Sequence, residues 1–278
     1  MQRIEVYQSL WAMELRQPGR TELSVADKVA KAADAGFAGL CLDLGMEDVP
    51  ETKAAQPLLA ARGMTPLFNG FSKNDDEFRY ILDLSKDFGA PYLSLIAQVM
   101  PRRTEDMIAL CARWMEIADR VGQTVLFETH RHGLLNDLYP TLDLLDALPD
   151  LKLNADLSHF VVDREFALPL SDTARAQMSQ ILRRSHAFQG RIASNEQVQI
   201  EIGFPQHAKW VEQFRAWWAE GFRHWRATSP DDAALTFLCE LGPPPYAITG
   251  ADGLELSDRW EEALIIREWA QDLFAAAV

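Results

Sequence analysis

Short apolar runs alternate with amphipathic segments along the first half of the chain. Residues 4–10 form an apolar run that suits a buried strand. Residues 24–27 then form a variant of the capping box, and Val25, Val29 and Ala33 follow at the spacing of one helix face. The pattern therefore predicts a strand and then a helix at the start of the chain.

Glycines mark the places where the same strand-plus-helix unit repeats. Gly36, Gly63, Gly89 and Gly122 each end a predicted helix, and an apolar run of strand length follows each of them. Glycine is favoured there because the residue after a helix often adopts a left-handed conformation. The recurrence predicts alternating β-strands and α-helices.

The second half keeps this pattern with longer connections. It predicts helices at 139–148, 173–184 and 257–274, and strands at 151–156, 185–189 and 235–239. Segment 190–207 is irregular and too long for a simple connection, so we interpret it as a candidate lid or substrate loop. The whole pattern gives eight strands and eight helices, and no G-x-G-x-x-G loop follows the first strand. We therefore predict an α/β fold, a (β/α)₈ TIM barrel forming a single domain over residues 1–278, rather than an open sheet.

Four tryptophans recur at helical spacing after the irregular segment. Trp210, Trp217, Trp218 and Trp225 fall where one helix face would carry them. We expect this face to pack in the core or between the subunits of a homo-oligomer, rather than to stack on a ligand.

Composition and charge narrow the class of protein. The 278 residues are 48% hydrophobic and 24% charged, as in ordinary soluble globular proteins. The chain has no 18-residue apolar run, and its first residues are polar where a signal peptide would be apolar, so we expect a cytoplasmic protein without membrane contact. A formal net charge of -14 makes nucleic acid an unfavourable partner and a small molecule a better one. The three cysteines lie inside apolar runs, which favours core packing over a disulfide or a thiolate metal site.

Charged and ionisable residues lie at or near the ends of four predicted strands. Glu128, Asp156, His186 and Glu240 belong to strands five to eight of the predicted barrel. Any one of them alone suits a salt-bridged strand end. In a TIM barrel, however, the carboxyl ends of the strands meet at one mouth, where catalytic residues stand. We therefore expect these four side chains to converge.

Three crowded carboxylates repel one another unless a cation relieves the repulsion. Three oxygen ligands and one nitrogen ligand suit Mn²⁺, Mg²⁺ or Co²⁺ better than a thiolate-type zinc site. We predict one divalent metal ion, held by Glu128, Asp156, His186 and Glu240. The alternative is that these are four unrelated polar residues.

Several short motifs, taken in order, resemble a known superfamily. FETH, ADLSH, the histidine of SHAFQGR, and CELG are similar to motifs of the xylose-isomerase-like TIM-barrel superfamily, especially the ketose 3-epimerase type, and the resemblance covers essentially the whole chain. It implies that the four residues above hold one divalent metal, and we expect Mn²⁺, with Mg²⁺, Co²⁺ or Zn²⁺ as alternatives. It also implies that His159 and Arg191 contact the substrate, and that Glu128 and Glu240 exchange the substrate proton.

Other residues depart from the named epimerases. His130, Arg131 and His132 follow Glu128 closely, and Glu240 continues into LGPPPY, which resembles a less characterised branch of sugar phosphate isomerases/epimerases. We count His130 and Arg131 as candidate substrate-binding residues, since Arg131 could pair with a site carboxylate or bind an anionic substrate group. An endonuclease IV-like site is a poor alternative because no histidine precedes residue 130.

The sequence thus predicts a metal-dependent isomerase or epimerase of a sugar or sugar derivative that acts by proton transfer through an enediolate. Two alternatives stay open. One is a metal-dependent dehydratase or lyase of a polyol acid, similar to dehydroshikimate dehydratases. The other is a sugar-binding barrel without catalysis.

Overall fold

The computed structural model of the chain describes residues 1–277 as a closed parallel β-barrel surrounded by helices. Val278, the last residue of the predicted domain, lies outside the described residues. Across residues 1–277 eight strands pair in sequence order, and the first also pairs with the last. This confirms the predicted (β/α)₈ barrel. The strands are β1 (Arg3–Ser9), β2 (Gly39–Leu44), β3 (Thr65–Ser72), β4 (Leu93–Ala97), β5 (Val125–Glu128), β6 (Leu153–Ala155), β7 (Ser185–Gln189) and β8 (Ala234–Cys239).

The described part of the chain contains nine α-helices rather than the eight predicted. The additional helix lies directly after β6, where Asp156 caps its first turn by accepting a hydrogen bond from the Ser158 amide at 3.0 Å. The helices are α1 (Val25–Asp34), α2 (Val49–Ala61), α3 (Asp75–Asp87), α4 (Thr104–Val121), α5 (Leu138–Ala147), α6 (Leu157–Asp163), α7 (Asp172–Arg183), α8 (Ala208–Thr228) and α9 (Arg259–Ala276). Short 3₁₀ helices span Trp11–Met13 and Pro205–His207. No helix within residues 1–277 combines the length and apolar character needed to cross a membrane.

The local signals for helix ends act as predicted. Ser24 caps α1 by accepting a hydrogen bond from the Asp27 amide at 3.1 Å. The four repeat glycines have positive φ angles, which are 83° at Gly36, 64° at Gly63, 75° at Gly89 and 72° at Gly122. A side chain at these positions would be strained, so glycine fixes where each helix stops and the next strand begins.

The apolar core has two parts. The larger part lies between the helices and the outer face of the barrel, and it buries all four tryptophans of α8. The smaller part fills the barrel interior and consists of Tyr7, Cys41, Leu67, Tyr92, Leu126, Ala187 and Leu238. Because side chains alternate between the two faces of a strand, these interior residues identify which positions point inward.

The irregular segment 190–207 is packed against the barrel rather than projecting from it. Ile192 and Ile200 are buried in the larger core. Gln199 bonds the backbone of Gly242 twice, accepting from its amide at 2.7 Å and donating to its carbonyl at 3.0 Å. The segment therefore supports the chain that follows β8.

Candidate metal and catalytic site

A ring of polar side chains lies above the apolar interior of the barrel. On seven strands the position two residues beyond the interior apolar residue is polar, and on β6 Asp156 stands at the corresponding level. Residues two positions apart on a strand point to the same side of the sheet. These polar side chains therefore point into the barrel at its carboxyl end. We call this group the polar ring, and its members are Ser9, Asp43, Asn69, Ser94, Glu128, Asp156, Gln189 and Glu240.

Three carboxylates of the polar ring are close enough to share one ion. Glu128, Asp156 and Glu240 each offer an oxygen, and these three atoms all lie within 4.8 Å of one another. All three residues are buried, with side chains from the ends of β5, β6 and β8. The convergence of these three predicted residues follows from the barrel closing on itself.

Neighbouring side chains hold the two glutamates in place. Glu240 accepts hydrogen bonds from Asn69 Nδ2 at 2.8 Å and from Arg191 Nη2 at 2.7 Å, one at each carboxylate oxygen. Glu128 Oε2 accepts from Ser94 Oγ at 2.8 Å, which leaves Oε1 as the atom available to a ligand. The two glutamates are therefore held differently, and only Glu240 is paired with a cation.

Burial and mutual repulsion oppose ionisation of these acids. Burial raises the pKa of Glu128 well above its ordinary range, and repulsion from Glu240 and Asp156 raises it further. Burial also raises the pKa of Glu240 to about 8, although Arg191 acts in the opposite direction. Burial tends to lower the pKa of Arg191, but attraction to Asp156 and Glu240 outweighs this, so the arginine stays cationic. One arginine leaves much of the repulsion uncompensated.

The donor set fits a divalent cation. Asp156 Oδ1 accepts hydrogen bonds from Ser158, whereas its buried Oδ2 has no hydrogen-bond partner among residues 1–277. Its neighbours at Oδ2 are His159 Nε2 at 3.5 Å and Arg191 Nη1 at 3.6 Å. A divalent ion among the three acids would satisfy this oxygen and remove the repulsion, and oxygen donors of this kind suit Mg²⁺ or Mn²⁺.

The predicted fourth ligand, His186, is not part of this group, and its assignment has to be corrected. His186 directly precedes the inward-facing Ala187, so its side chain points out of the barrel, and it lies three residues before the end of β7. Burial lowers its pKa to about 4, and the nearby cations Lys152 and Arg184 contribute. The inward position at the end of β7 belongs to Gln189 instead.

The polar ring opens into a cavity of about 210 Å³. A concave site of this size suits a small molecule rather than a macromolecule. Larger cavities on the outer surface, such as one of about 330 Å³ beside Arg20 and Trp260, do not adjoin the three acids. The cavity is lined by Trp11, Asp43, Asn69, Phe71, Ile96, Glu128, His130, Arg191, Glu240 and Tyr246.

The predicted substrate-binding residues occupy different depths. His130 lines the cavity and packs against the fully buried His159, with the ring centroids 4.2 Å apart. Burial, together with the nearby His159, lowers the pKa of His130 to about 2. Burial, together with the cations Arg191 and Arg131, lowers the pKa of His159 well below its ordinary range. Both rings are therefore neutral. Arg191 lines the cavity but is bonded to Glu240, whereas Arg131 is exposed and lies 5.3 Å from the ring centroid of Tyr246 at the mouth.

Sequence reasoning missed several members of the site. The missed residues are neutral, and the prediction considered mainly charged residues and histidine at strand ends. They are Asn69, Ser94 and Gln189. The signal that finds them is the alternation of facing, counted from the apolar interior of each strand. Trp11 lies in the short 3₁₀ helix after β1 and Tyr246 in the segment after β8, and only the folded chain shows that they line the cavity.

Comparisons with known proteins give similarity at the level of structure. No protein-family model matches the chain, and neither does any curated protein. Among solved structures, an L-ribulose 3-epimerase is 16% identical, with 100% of this chain and 96% of that chain covered and a TM-score of 0.58. A xylose isomerase-like TIM barrel protein from Mycobacterium smegmatis, in complex with magnesium, is 12% identical over 99% of this chain and 97% of that chain, with a TM-score of 0.63.

A third similar structure is a probable 3-DHS dehydratase involved in petrobactin synthesis from Bacillus anthracis. It is 14% identical over 98% of this chain and 99% of that chain, with a TM-score of 0.52. At these identities the neighbours show the fold alone, and they agree with the TIM barrel described above. At such low identities the reaction has to be argued from the site itself.

Proposed function

We propose that the protein is a metal-dependent isomerase or epimerase of a sugar or sugar derivative, which moves a proton on a carbon next to a carbonyl. The observation that carries the proposal is the convergence of Glu128, Asp156 and Glu240 within 4.8 Å beside a small cavity. Structural neighbours that include an L-ribulose 3-epimerase and a D-allulose 3-epimerase in complex with D-allulose support the substrate class.

In this proposal Glu128, Asp156 and Glu240 hold one divalent ion, with Mn²⁺ or Mg²⁺ preferred for their oxygen donors. When bound, such an ion supplies electrostatic stabilisation for the negative charge that develops on the substrate oxygens. Asp156 acts mainly as a ligand, because Ser158 and the start of α6 fix its carboxylate.

Glu128 and Glu240 carry the proton transfer in this proposal. They come from β5 and β8, three strands apart around the barrel, so they can approach a substrate carbon from different sides. One removes the proton and the other returns it to the opposite face. The raised pKa of Glu128 makes its ionised form a strong base for a carboxylate, whereas the contact with Arg191 makes Glu240 the weaker base.

The surrounding residues bind and orient the substrate. The neutral His130 faces the cavity, and the backbone amide of His132 donates to its Nδ1 at 3.1 Å, so Nε2 carries the ring proton and can donate to a substrate oxygen. His159 supports His130 from behind and lies beside Asp156. Arg191 positions Glu240, and Arg131 at the mouth suits an anionic group of a substrate derivative.

Hydrogen exchange tests the chemistry. The metal-loaded protein is incubated in D₂O with ketoses, including L-ribulose and D-allulose, and with sugar acids and sugar phosphates, and NMR detects deuterium entering at carbon. We expect exchange that is lost in both Glu128→Gln and Glu240→Gln and retained in Glu262→Gln, a matched control on α9 that is buried away from the cavity. Full turnover of a substrate by Glu240→Gln would refute the assignment of proton transfer.

A dehydratase is the second candidate, because elimination of water from a polyol acid begins with the same proton abstraction and a probable 3-DHS dehydratase shares the fold. Mass spectrometry separates the two reactions, since dehydration lowers the product mass by one water and isomerisation leaves it unchanged. A sugar-binding barrel without catalysis predicts ligand-induced thermal shifts with no product from any sugar.

A further inference from the structure

The amide of Gln189 is buried without the hydrogen bonds that such a group requires. Gln189 is the last residue of β7 and is fully buried, with 0% of its surface exposed. Neither Oε1 nor Nε2 has a hydrogen-bond partner in the described residues 1–277. Buried amides are nearly always hydrogen-bonded, because losing water without a replacement is unfavourable. The unsatisfied amide therefore indicates a ligand that the protein atoms do not supply.

The fold directs this amide towards the three acids. Gln189 lies two residues after Ala187, whose side chain belongs to the apolar interior of the barrel, so Gln189 also faces inward. β7 pairs with β6 on one side and with β8 on the other. Those strands lead into Asp156 and Glu240, so Gln189 stands between two of the three carboxylates. Asp156 Oδ2 is likewise without a hydrogen-bond partner within residues 1–277.

The amide oxygen of glutamine is a hard, uncharged donor. Such carbonyl oxygens join carboxylates around Mg²⁺, Mn²⁺ and Ca²⁺, whereas imidazole nitrogen favours Zn²⁺ and Co²⁺. The histidine of the same strand, His186, faces out of the barrel and cannot provide that nitrogen. The four inward groups at this end of β5 to β8 thus offer oxygen donors throughout.

We propose that Gln189 Oε1 is the fourth protein ligand of the metal ion, and that the resulting all-oxygen site favours Mn²⁺ and Mg²⁺ relative to Zn²⁺ and Co²⁺ more than a site with an imidazole ligand would. This inference rests on the proposed metal dependence and specifies which residue completes the site. It differs from a packing role for Gln189, because removing a ligand changes the relative affinities of different ions, whereas loss of packing weakens all ions alike.

Metal titration of the full-length protein tests the inference without using activity. Chelator-treated protein is titrated with Mn²⁺, Mg²⁺, Zn²⁺ and Co²⁺ by calorimetry, and bound Mn²⁺ is followed by electron paramagnetic resonance. The variants are Gln189→Met, which keeps the side-chain length without the amide, and Gln189→His, which offers a nitrogen donor. Gln123→Met is the matched control, since Gln123 lies just before β5, at the opposite end of that strand from Glu128, and its amide bonds Ser85 and Ala90. Thermal unfolding without metal checks that each variant is folded.

We expect Gln189→Met to weaken Mn²⁺ binding by about 10-fold to 100-fold and Gln123→Met to leave it unchanged. We expect Gln189→His to raise the affinity for Zn²⁺ relative to Mn²⁺ by at least about 10-fold. If a folded Gln189→Met binds Mn²⁺ as the wild type does, or if Gln189→His leaves the ratio of Zn²⁺ to Mn²⁺ affinity unchanged, Gln189 is not a ligand and the proposed function still stands. If the wild type binds none of the four ions, both this inference and the proposed metal dependence are wrong.

Discussion

Replacing Glu128 with glutamine should stabilise the metal-free protein while weakening its metal binding. Glu128 is 2% exposed, and burial together with Glu240 and Asp156 holds its pKa well above the ordinary value of 4.5. When the pKa of a carboxyl group is higher in the folded state than in the unfolded chain, the group stabilises the fold at pH values below the pKa of the unfolded chain. This stability is lost as the pH rises towards the pKa of the folded state. Without metal, the wild type should therefore lose stability relative to Glu128→Gln as the pH rises above about 4.5.

The interval between the ordinary pKa of 4.5 and pH 7 sets an upper limit on the magnitude at pH 7. Each pH unit over which the unfolded chain is ionised and the folded carboxyl is not costs about 1.4 kcal/mol, so the penalty is at most about 3 kcal/mol. Glutamine carries no such penalty and can still accept a hydrogen bond from Ser94. Glu128→Gln should therefore raise the free energy of unfolding by up to about 3 kcal/mol at pH 7, and its effect should vanish near pH 4.5.

Chemical denaturation with a chelator present, repeated between about pH 5 and pH 8, measures this difference. The exposed Glu196 provides the control Glu196→Gln, which should leave stability unchanged. At 100 times its dissociation constant for the wild type, Mn²⁺ should stabilise the wild type by about 2.7 kcal/mol and should stabilise Glu128→Gln by less. The electrostatic account is refuted if chelator-treated Glu128→Gln is less stable than the wild type at pH 7, or if the difference does not depend on pH.

Three further changes test separate parts of the structure. Arg191→Lys should lower kcat more than it raises KM, because the guanidinium holds a proposed proton-transfer carboxylate with a charged hydrogen bond; a change in KM alone would make it a substrate anchor. Gly221→Ala should cost about 1–3 kcal/mol in thermal unfolding, because a methyl group there overlaps the Phe188 ring, whereas Gly203→Ala meets no neighbour and should be neutral. Burial raises the pKa of Glu262 to about 7, so this group makes the wild type less stable, by up to about 3 kcal/mol, as the pH rises from about 4.5 to 7. Glu262→Gln should remove this loss, and denaturation at each pH measures it.

The barrel could be predicted because its signals are local and repeated. A left-handed glycine ends several of the helices, and each apolar strand begins soon after, so the order of elements follows from residues that act on their own neighbours. The helix α6 was missed because Asp156 was interpreted only as a strand end, although it also caps the next turn. Because Asp156 both follows a strand and caps a helix, the sequence around it fits either element.

The three acids of the site were also predictable, since a carboxylate that ends an apolar strand is conspicuous. The fourth ligand was predicted wrongly. His186 was chosen because histidine is a common metal ligand, but its side chain points out of the barrel. Five residues of β7 do not show which side is inward until its neighbours are in place. The contact between Arg191 and Glu240 joins residues 49 positions apart, so only the folded chain shows that this arginine positions a carboxylate.

The buried Arg191 also sets the electroneutrality of the site. Three carboxylates and one guanidinium leave a formal charge of minus two among Glu128, Asp156, Glu240 and Arg191, which one divalent cation would cancel. An uncharged polyol would then enter without a net Coulomb attraction or repulsion from this group and would be selected by shape and hydrogen bonds. A phosphorylated or acidic substrate would bring an uncompensated charge, and the exposed Arg131 at the mouth is the cation placed to balance it.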